Sequence, residues 1–192
     1  MREEYKVIAR KPIQPLVKLL VSLRIPPNLL TIISLPFSII AGYLYGTGKF
    51  IPAGIFLAFV GFFDTVDGEV ARKSNRINPN GAFLDSTIDR ITEFFVFLGL
   101  FLFYRNNLLV SVLIFLALFA SLLVSYIRAR AQGIGKDCNT GIFERPVRFL
   151  FLVLGSLFLN PRLFPIVLWI ILIGSILTIF QRLIYVLHPG RE

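Results

Sequence analysis

Six uncharged runs, at residues 29–48, 50–63, 94–104, 106–127, 149–161 and 163–181, constrain what this chain can fold into more than any other feature. Such runs leave water by packing together or by entering lipid, and a bilayer core takes about 20 helical residues to cross. The runs at 29–48, 106–127 and 163–181 meet that length, whereas 50–63, 94–104 and 149–161 must be completed with polar residues at one end. With 56% hydrophobic residues and 20 Phe among 192 residues, little is left for a separate soluble domain. The expectation is an all-α integral membrane protein of six transmembrane helices. It forms one membrane domain over residues 1–192, with the six-helix bundle at 25–187.

Residues 1–24 mix charges with short apolar groups and lack the continuous apolar core of a cleavable signal peptide. Leu16, Leu19, Leu20 and Leu23 share a helical stripe flanked by Lys18 and Arg24, and Pro12 and Pro15 interrupt any longer helix. An N-terminal interfacial amphipathic helix is expected there. With six spans, only Lys49, Arg105 and Arg162 fall on one side of the membrane, and every other Lys and Arg falls on the opposite side with both termini. The positive-inside rule makes that side cytoplasmic, for a multi-pass protein of the cell membrane. A net charge of +9 favours membrane lipids with anionic heads and phosphate-bearing substrates. Because the basic residues spread along a membrane face without a nucleic-acid motif, no nucleic-acid partner is expected. The lone Cys138 excludes an internal disulfide.

Four of the five Asp lie between positions 64 and 89, at the edge of an apolar run. Intramembrane acids are expensive and need a partner or a task. On a helix Asp64, Asp67, Gly68 and Ala71 fall at i, i+3, i+4 and i+7, one face carrying two acids and two small residues. Gly81, Asp85 and Asp89 then recur every four residues on a second helix. An antiparallel hairpin of these two helices would bring four carboxylates to one point, where they cannot all stay ionised without cations between them. Hard oxygen donors suit Mg²⁺, Mn²⁺ or Ca²⁺, and with one His and one Cys in the chain zinc does not fit. No Ser, Cys or His stands in a nucleophile–base arrangement.

This stretch resembles the CDP-alcohol phosphotransferases, whose signature D-x2-D-G-x2-A-R-x8-G-x3-D-x3-D is met at every position by Asp64, Asp67, Gly68, Ala71, Arg72, Gly81, Asp85 and Asp89. The resemblance implies an enzyme that moves a phosphatidyl-type group from a CDP-linked lipid to a polar alcohol and releases CMP. It implies two divalent cations, Mg²⁺ first and Mn²⁺ second, on Asp64, Asp67 and Asp85, with Asp89 as a further ligand and the general base. Gly68, Ala71, Arg72 and Gly81 would surround the CDP moiety, with Arg72 on the pyrophosphate. Pro27-Asn28-Leu29-Leu30-Thr31 looks like the segment before the family's first span, which makes Asn28 and Thr31 nucleotide candidates; Asn28 also reads as a helix N-cap. A homodimer is implied by the resemblance alone.

Arginines at the ends of three further runs, Arg128 and Arg130, Arg145 and Arg148, and Arg182, would lie at the depth of the acids. Snorkelling explains any one of them. Together they form an anion pocket for an acceptor that itself carries phosphate, with Arg128, Arg130, Arg145 and Arg182 as its candidates. Tyr126-x-Arg128-Ala129-Arg130-Ala131 and Gln181-Arg182 resemble the inositol-phosphate-using branch of the family, and glycerol phosphate is the rival acceptor. A membrane prenyltransferase would use Asp clusters without the DG-x2-AR core. A cation transporter would have little use for the arginines.

Overall fold

The computed structural model describes residues 11–76 and 78–188, and among them every regular element is helical. A 3₁₀ turn, Lys11–Ile13, leads into α1 (Gln14–Ser22), followed by α2 (Pro27–Gly46), α3 (Phe50–Lys73), α4 (Pro79–Tyr104), α5 (Leu108–Gly133), α6 (Arg145–Phe158) and α7 (Pro165–Leu187). Proline stands in the first turn of α1, α2, α4, α6 and α7, where its missing N–H costs no helical hydrogen bond. The N-cap of α2 is Pro26, without a side-chain cap, so Asn28 lies inside the helix and the capping reading of it is corrected. Capping falls instead to Asn78, whose side chain accepts from the Gly81 N–H at 2.7 Å, and to Asn107, which accepts from Val110 at 3.2 Å. Gly48, at φ +79°, reverses the chain between α2 and α3, a conformation that favours glycine.

The helices α2, α3, α5 and α7 are long and apolar enough to cross a membrane, and the chain is a multi-pass membrane protein. Two other expected spans depart from that pattern. Helix α4 is long, but it carries Asp85, Asp89, Arg90 and Glu93. Helix α6 has 14 residues, about 21 Å at 1.5 Å per residue, short of a core about 30 Å thick. Large apolar side chains stand exposed on the outer faces, among them Leu109, Phe115 and Phe180, as a lipid-facing surface requires.

Helix α2 packs along both α3 and α4, which corrects the expected hairpin: neither α3 nor α4 makes its main contact with the other. The cause is local. A Cβ on Gly99 of α4 would overlap the Gly42 carbonyl of α2, and one on Gly42 would overlap the Phe95 carbonyl. Small residues let these two backbones touch, a contact lipid would otherwise fill. Helix α6 rests on α3, and α5 packs on α7. The main core, with Tyr45, Phe50, Phe97, Leu152 and Phe164, includes a buried hydrogen bond between the Tyr45 and Ser156 hydroxyls.

A smaller apolar cluster of Val17, Leu30, Val66 and Val70 docks α1 beside the charged end of α3. Leu16 and Leu20 pack into it, while Leu19 and Leu23 are exposed, so the expected leucine stripe is divided between protein and surroundings. The part of the interfacial expectation that falls on residues 1–10 lies outside the described residues.

Candidate active site

Helix α3 runs unbroken through Asp64, Asp67, Gly68 and Ala71 and puts them on one face. Asp64 meets Asp85 and Asp89 of α4: each offers a carboxylate oxygen, and the three oxygens lie within 4.8 Å of one another. Among the described residues the buried Asp85 Oδ1 atom has no hydrogen-bond partner, a costly state that a bound cation would relieve. Asp67 stands apart from this trio. It is buried and accepts a hydrogen bond from Thr31 Oγ1 of α2 at 2.6 Å, within electrostatic range of Asp64 and Asp85. An oxygen-only donor set with an orphaned carboxylate atom fits a hard divalent ion.

The arginines do not form one uniform pocket. Arg145, at the start of α6, bridges the acids, with Nη1 3.1 Å from Asp64 and Nη2 2.7 Å from Asp89. Arg182 is buried and donates to the carbonyls of Thr140 at 2.8 Å and Val124 at 2.5 Å, with Glu144 at 3.7 Å. Arg128 is exposed and, among the described residues, donates to Asn139 Oδ1 at 3.0 Å. These three, with Arg90 and Arg148, line a cavity of about 790 Å³ whose other walls include Asp64, Asp85 and Asp89. Arg130 is exposed and is not among the residues that line the cavity, which corrects its grouping with the others. Arg128 and Arg130 are two residues apart on a helix, so their side chains leave on different faces.

The nucleotide candidates lie where α2 meets α3 and α4. A Cβ on Gly81 would stand 3.3 Å from Asn28 Oδ1, so those two positions face each other, and Thr31 holds Asp67. Gly68 and Arg72 are neighbours, a Cβ at Gly68 falling 3.5 Å from the Arg72 guanidinium. Arg72 is engaged by Glu69 at 3.1 and 2.5 Å, and Ala71 is partly buried. Asn28, Thr31, Gly68, Ala71, Arg72 and Gly81 are all absent from the lining of the arginine cavity.

Three features were not singled out in the sequence. Arg90 donates to Ser86 O at 2.7 Å and lies 3.5 Å from Asp89 Oδ2. Glu93 extends the ladder Gly81, Asp85, Asp89 by one more step of four, and that spacing was a signal in plain view. It accepts from Ser121 Oγ and lies 3.7 Å from Arg148 Nε. A groove of about 300 Å³ with apolar walls, from Ala58, Gly61, Phe149, Leu150 and Val153, runs between α3 and α6 and has Asp64 and Arg145 at its head.

A family profile described as CDP-alcohol phosphatidyltransferase matches residues 24–180. The archaetidylinositol phosphate synthase of Methanothermobacter thermautotrophicus is 32% identical over 189 residues, spanning 97% of this chain and 94% of the relative. The phosphatidylinositol phosphate synthase of Streptomyces avermitilis is 34% identical over 194 residues, spanning 93% of this chain and 79% of the relative. The crystal structure of Mycobacterium tuberculosis phosphatidylinositol phosphate synthase with CDP-DAG bound superposes with a TM-score of 0.82 at 29% identity, covering 92% of this chain and 94% of that one. The same enzyme in complex with manganese and citrate gives a TM-score of 0.82 at 29% identity, covering 92% and 90%.

Proposed function

From the chain's membership of the CDP-alcohol phosphatidyltransferase family, we infer that it transfers a phosphatidyl-type group from a CDP-linked lipid to a hydroxyl of inositol phosphate and releases CMP. The observation that carries the acceptor is the cavity of about 790 Å³, in which Arg128, Arg145, Arg148 and Arg182 from three helices face the acids. A phosphate dianion engages several guanidinium groups at once, whereas a neutral alcohol such as serine leaves them unused. Glycerol phosphate brings the same anionic handle and is the second reading.

Asp64, Asp67, Asp85 and Asp89 would hold two divalent cations, Mg²⁺ in the first place and Mn²⁺ in the second. Bound there, the ions would supply charge neutralisation at the pyrophosphate and stabilise the departing CMP. Asn28, Thr31, Gly68, Ala71, Arg72 and Gly81 bind the CDP moiety on the α2 side, where small residues allow its close approach. The arginines orient the acceptor so that its hydroxyl faces the lipid-bearing phosphorus. Asp89 takes the hydroxyl proton as the oxygen–phosphorus bond forms, and the bond to CMP breaks with its electron pair leaving on the nucleotide phosphate. No covalent enzyme intermediate is needed.

In the membrane, α2 to α7 act as six spans of one domain, α4 extended by the polar residues that build the site and α6 the short member of the bundle. Helix α1 lies in the interface. Both termini and the site face the cytoplasm at the cell membrane. The working assembly is a homodimer, an expectation that rests on family membership. The test incubates purified protein with CDP-diacylglycerol or CDP-archaeol, Mg²⁺ and one of inositol phosphate, glycerol phosphate, inositol or serine. CMP release with inositol phosphate above the others supports the reading; efficient use of free serine or inositol with inositol phosphate ignored defeats it.

A further inference from the structure

Arg145 spans two of the three acids that converge, 3.1 Å from Asp64 and 2.7 Å from Asp89. A guanidinium there stands on the ground that a divalent ion bound to those oxygens would take, and two cations at that range repel. Resting on the metal-dependent reading above, we propose that Arg145 is a tethered stand-in for a divalent cation, neutralising Asp64 and Asp89 until metal binds and then exchanging to Glu93. Its backbone is fixed in the first turn of α6, so the long side chain swings while the helix stays.

Glu93 is the receiving group because of where it sits and what it lacks. It lies one helical turn beyond Asp89 on the same face of α4. Its charge already acts on Arg145, and the two residues, with Thr92 and apolar neighbours such as Leu57 and Phe149, line a small space of about 20 Å³, room for one water. Glu93 accepts from Ser121, but its arginine neighbour, Arg148, lies 3.7 Å away, and its own buried Nε has no hydrogen-bond partner among the described residues. A carboxylate offers about four acceptor positions, so Glu93 has capacity for a second guanidinium. Glu144, the other acid near the cavity, faces Arg182 instead. The exchange keeps the acids from repelling one another before metal arrives. It also turns the Arg145 charge away from the ions afterwards, while its remaining N–H donors stay on the wall of the acceptor cavity.

The test measures Mn²⁺ binding to the full-length protein in lipid nanodiscs, from the paramagnetic resonance signal of free Mn²⁺, with no substrate present. Coupling between groups in one charged network makes Arg145→Gln bind Mn²⁺ about tenfold more tightly than wild type, and Glu93→Gln about fivefold less tightly. In the Arg145→Gln background, Glu93→Gln changes nothing, because no guanidinium then needs a destination. Unchanged or weaker Mn²⁺ binding by Arg145→Gln overturns the proposal. So does a Glu93→Gln effect of equal size in both backgrounds, which plain through-space attraction would give. If Arg145→Gln does not fold, Arg145→Lys decides: its shorter, unforked head bridges the acids poorly, so affinity rises a few-fold, and no rise overturns the exchange. Wild-type protein that binds no Mn²⁺, or Asp85→Asn protein that binds it equally well, would instead remove the metal site itself.

Discussion

Arg128→Ala tests the acceptor pocket with the least collateral damage. Arg128 is exposed and donates to the exposed Asn139, so its truncation leaves no buried group unsatisfied among the described residues. Arg182→Ala, by contrast, would remove a buried guanidinium that donates to two backbone carbonyls, of Thr140 and Val124. A hydrogen bond to a charged group contributes about 1.5–3 kcal/mol, and the exposure of Arg128 places its contact with phosphate near the lower end, about 1.5–2 kcal/mol. At about 1.4 kcal/mol per tenfold, the KM for inositol phosphate rises about ten- to thirtyfold. The KM for CDP-lipid and the thermal midpoint stay where they are, since none of the nucleotide candidates lines the cavity that Arg128 lines. The assay is CMP release at saturating CDP-lipid with inositol phosphate varied, followed by the converse series. An unchanged inositol phosphate KM, or an equal rise in the KM of both substrates, would refute the assignment of this cavity to the acceptor.

Asp67→Asn and Asp85→Asn each abolish CMP release at saturating Mg²⁺, because each removes a charge from the ion site; substantial turnover in either variant removes the ligand assignment. Asp89→Asn lowers turnover by about a hundredfold or more while CDP-lipid binding changes by only a few-fold, as expected of a general base. Nucleotide affinity measured beside rate checks this, and equal losses would reduce Asp89 to a plain ligand. Gly99→Ala drives a methyl into the Gly42 carbonyl and destabilises the protein by about 1–3 kcal/mol, read as a lower thermal midpoint in nanodiscs. An unaltered midpoint would mean that α2 and α4 are not held at that crossing.

Much of the site could be read from spacing because its chemistry lies on two continuous helices. A step of three or four residues fixes which side chains share a face, so Asp64 with Asp67 and Asp85 with Asp89 followed from the sequence. How those helices meet did not follow. The α2–α4 contact depends on Gly42 lying opposite Gly99, a pairing of residues far apart in the chain that no local period reports. For the same reason, Thr31 emerged as a nucleotide candidate from the resemblance, while its hydrogen bond to Asp67 needed the packing of α2 on α3. Arg128 and Arg130 looked equivalent in a short motif, but a helix rotates successive residues by about 100°, and the cavity receives one of them. Apolar runs revealed where helices lie but could not say how far each extends, since the polar residues that complete α4 and α6 obey the needs of the site and not those of lipid.

The central claim is that this chain joins a CDP-linked lipid to an alcohol that keeps its own phosphate. Its most direct test supplies inositol phosphate labelled in the phosphate group, with CDP-diacylglycerol or CDP-archaeol and Mg²⁺, and follows the label into the lipid phase while CMP is counted. The account predicts one labelled lipid per CMP released, bearing a phosphodiester and an intact phosphomonoester. CMP release with the label left in water, or a labelled lipid formed from glycerol phosphate but none from inositol phosphate, would contradict it.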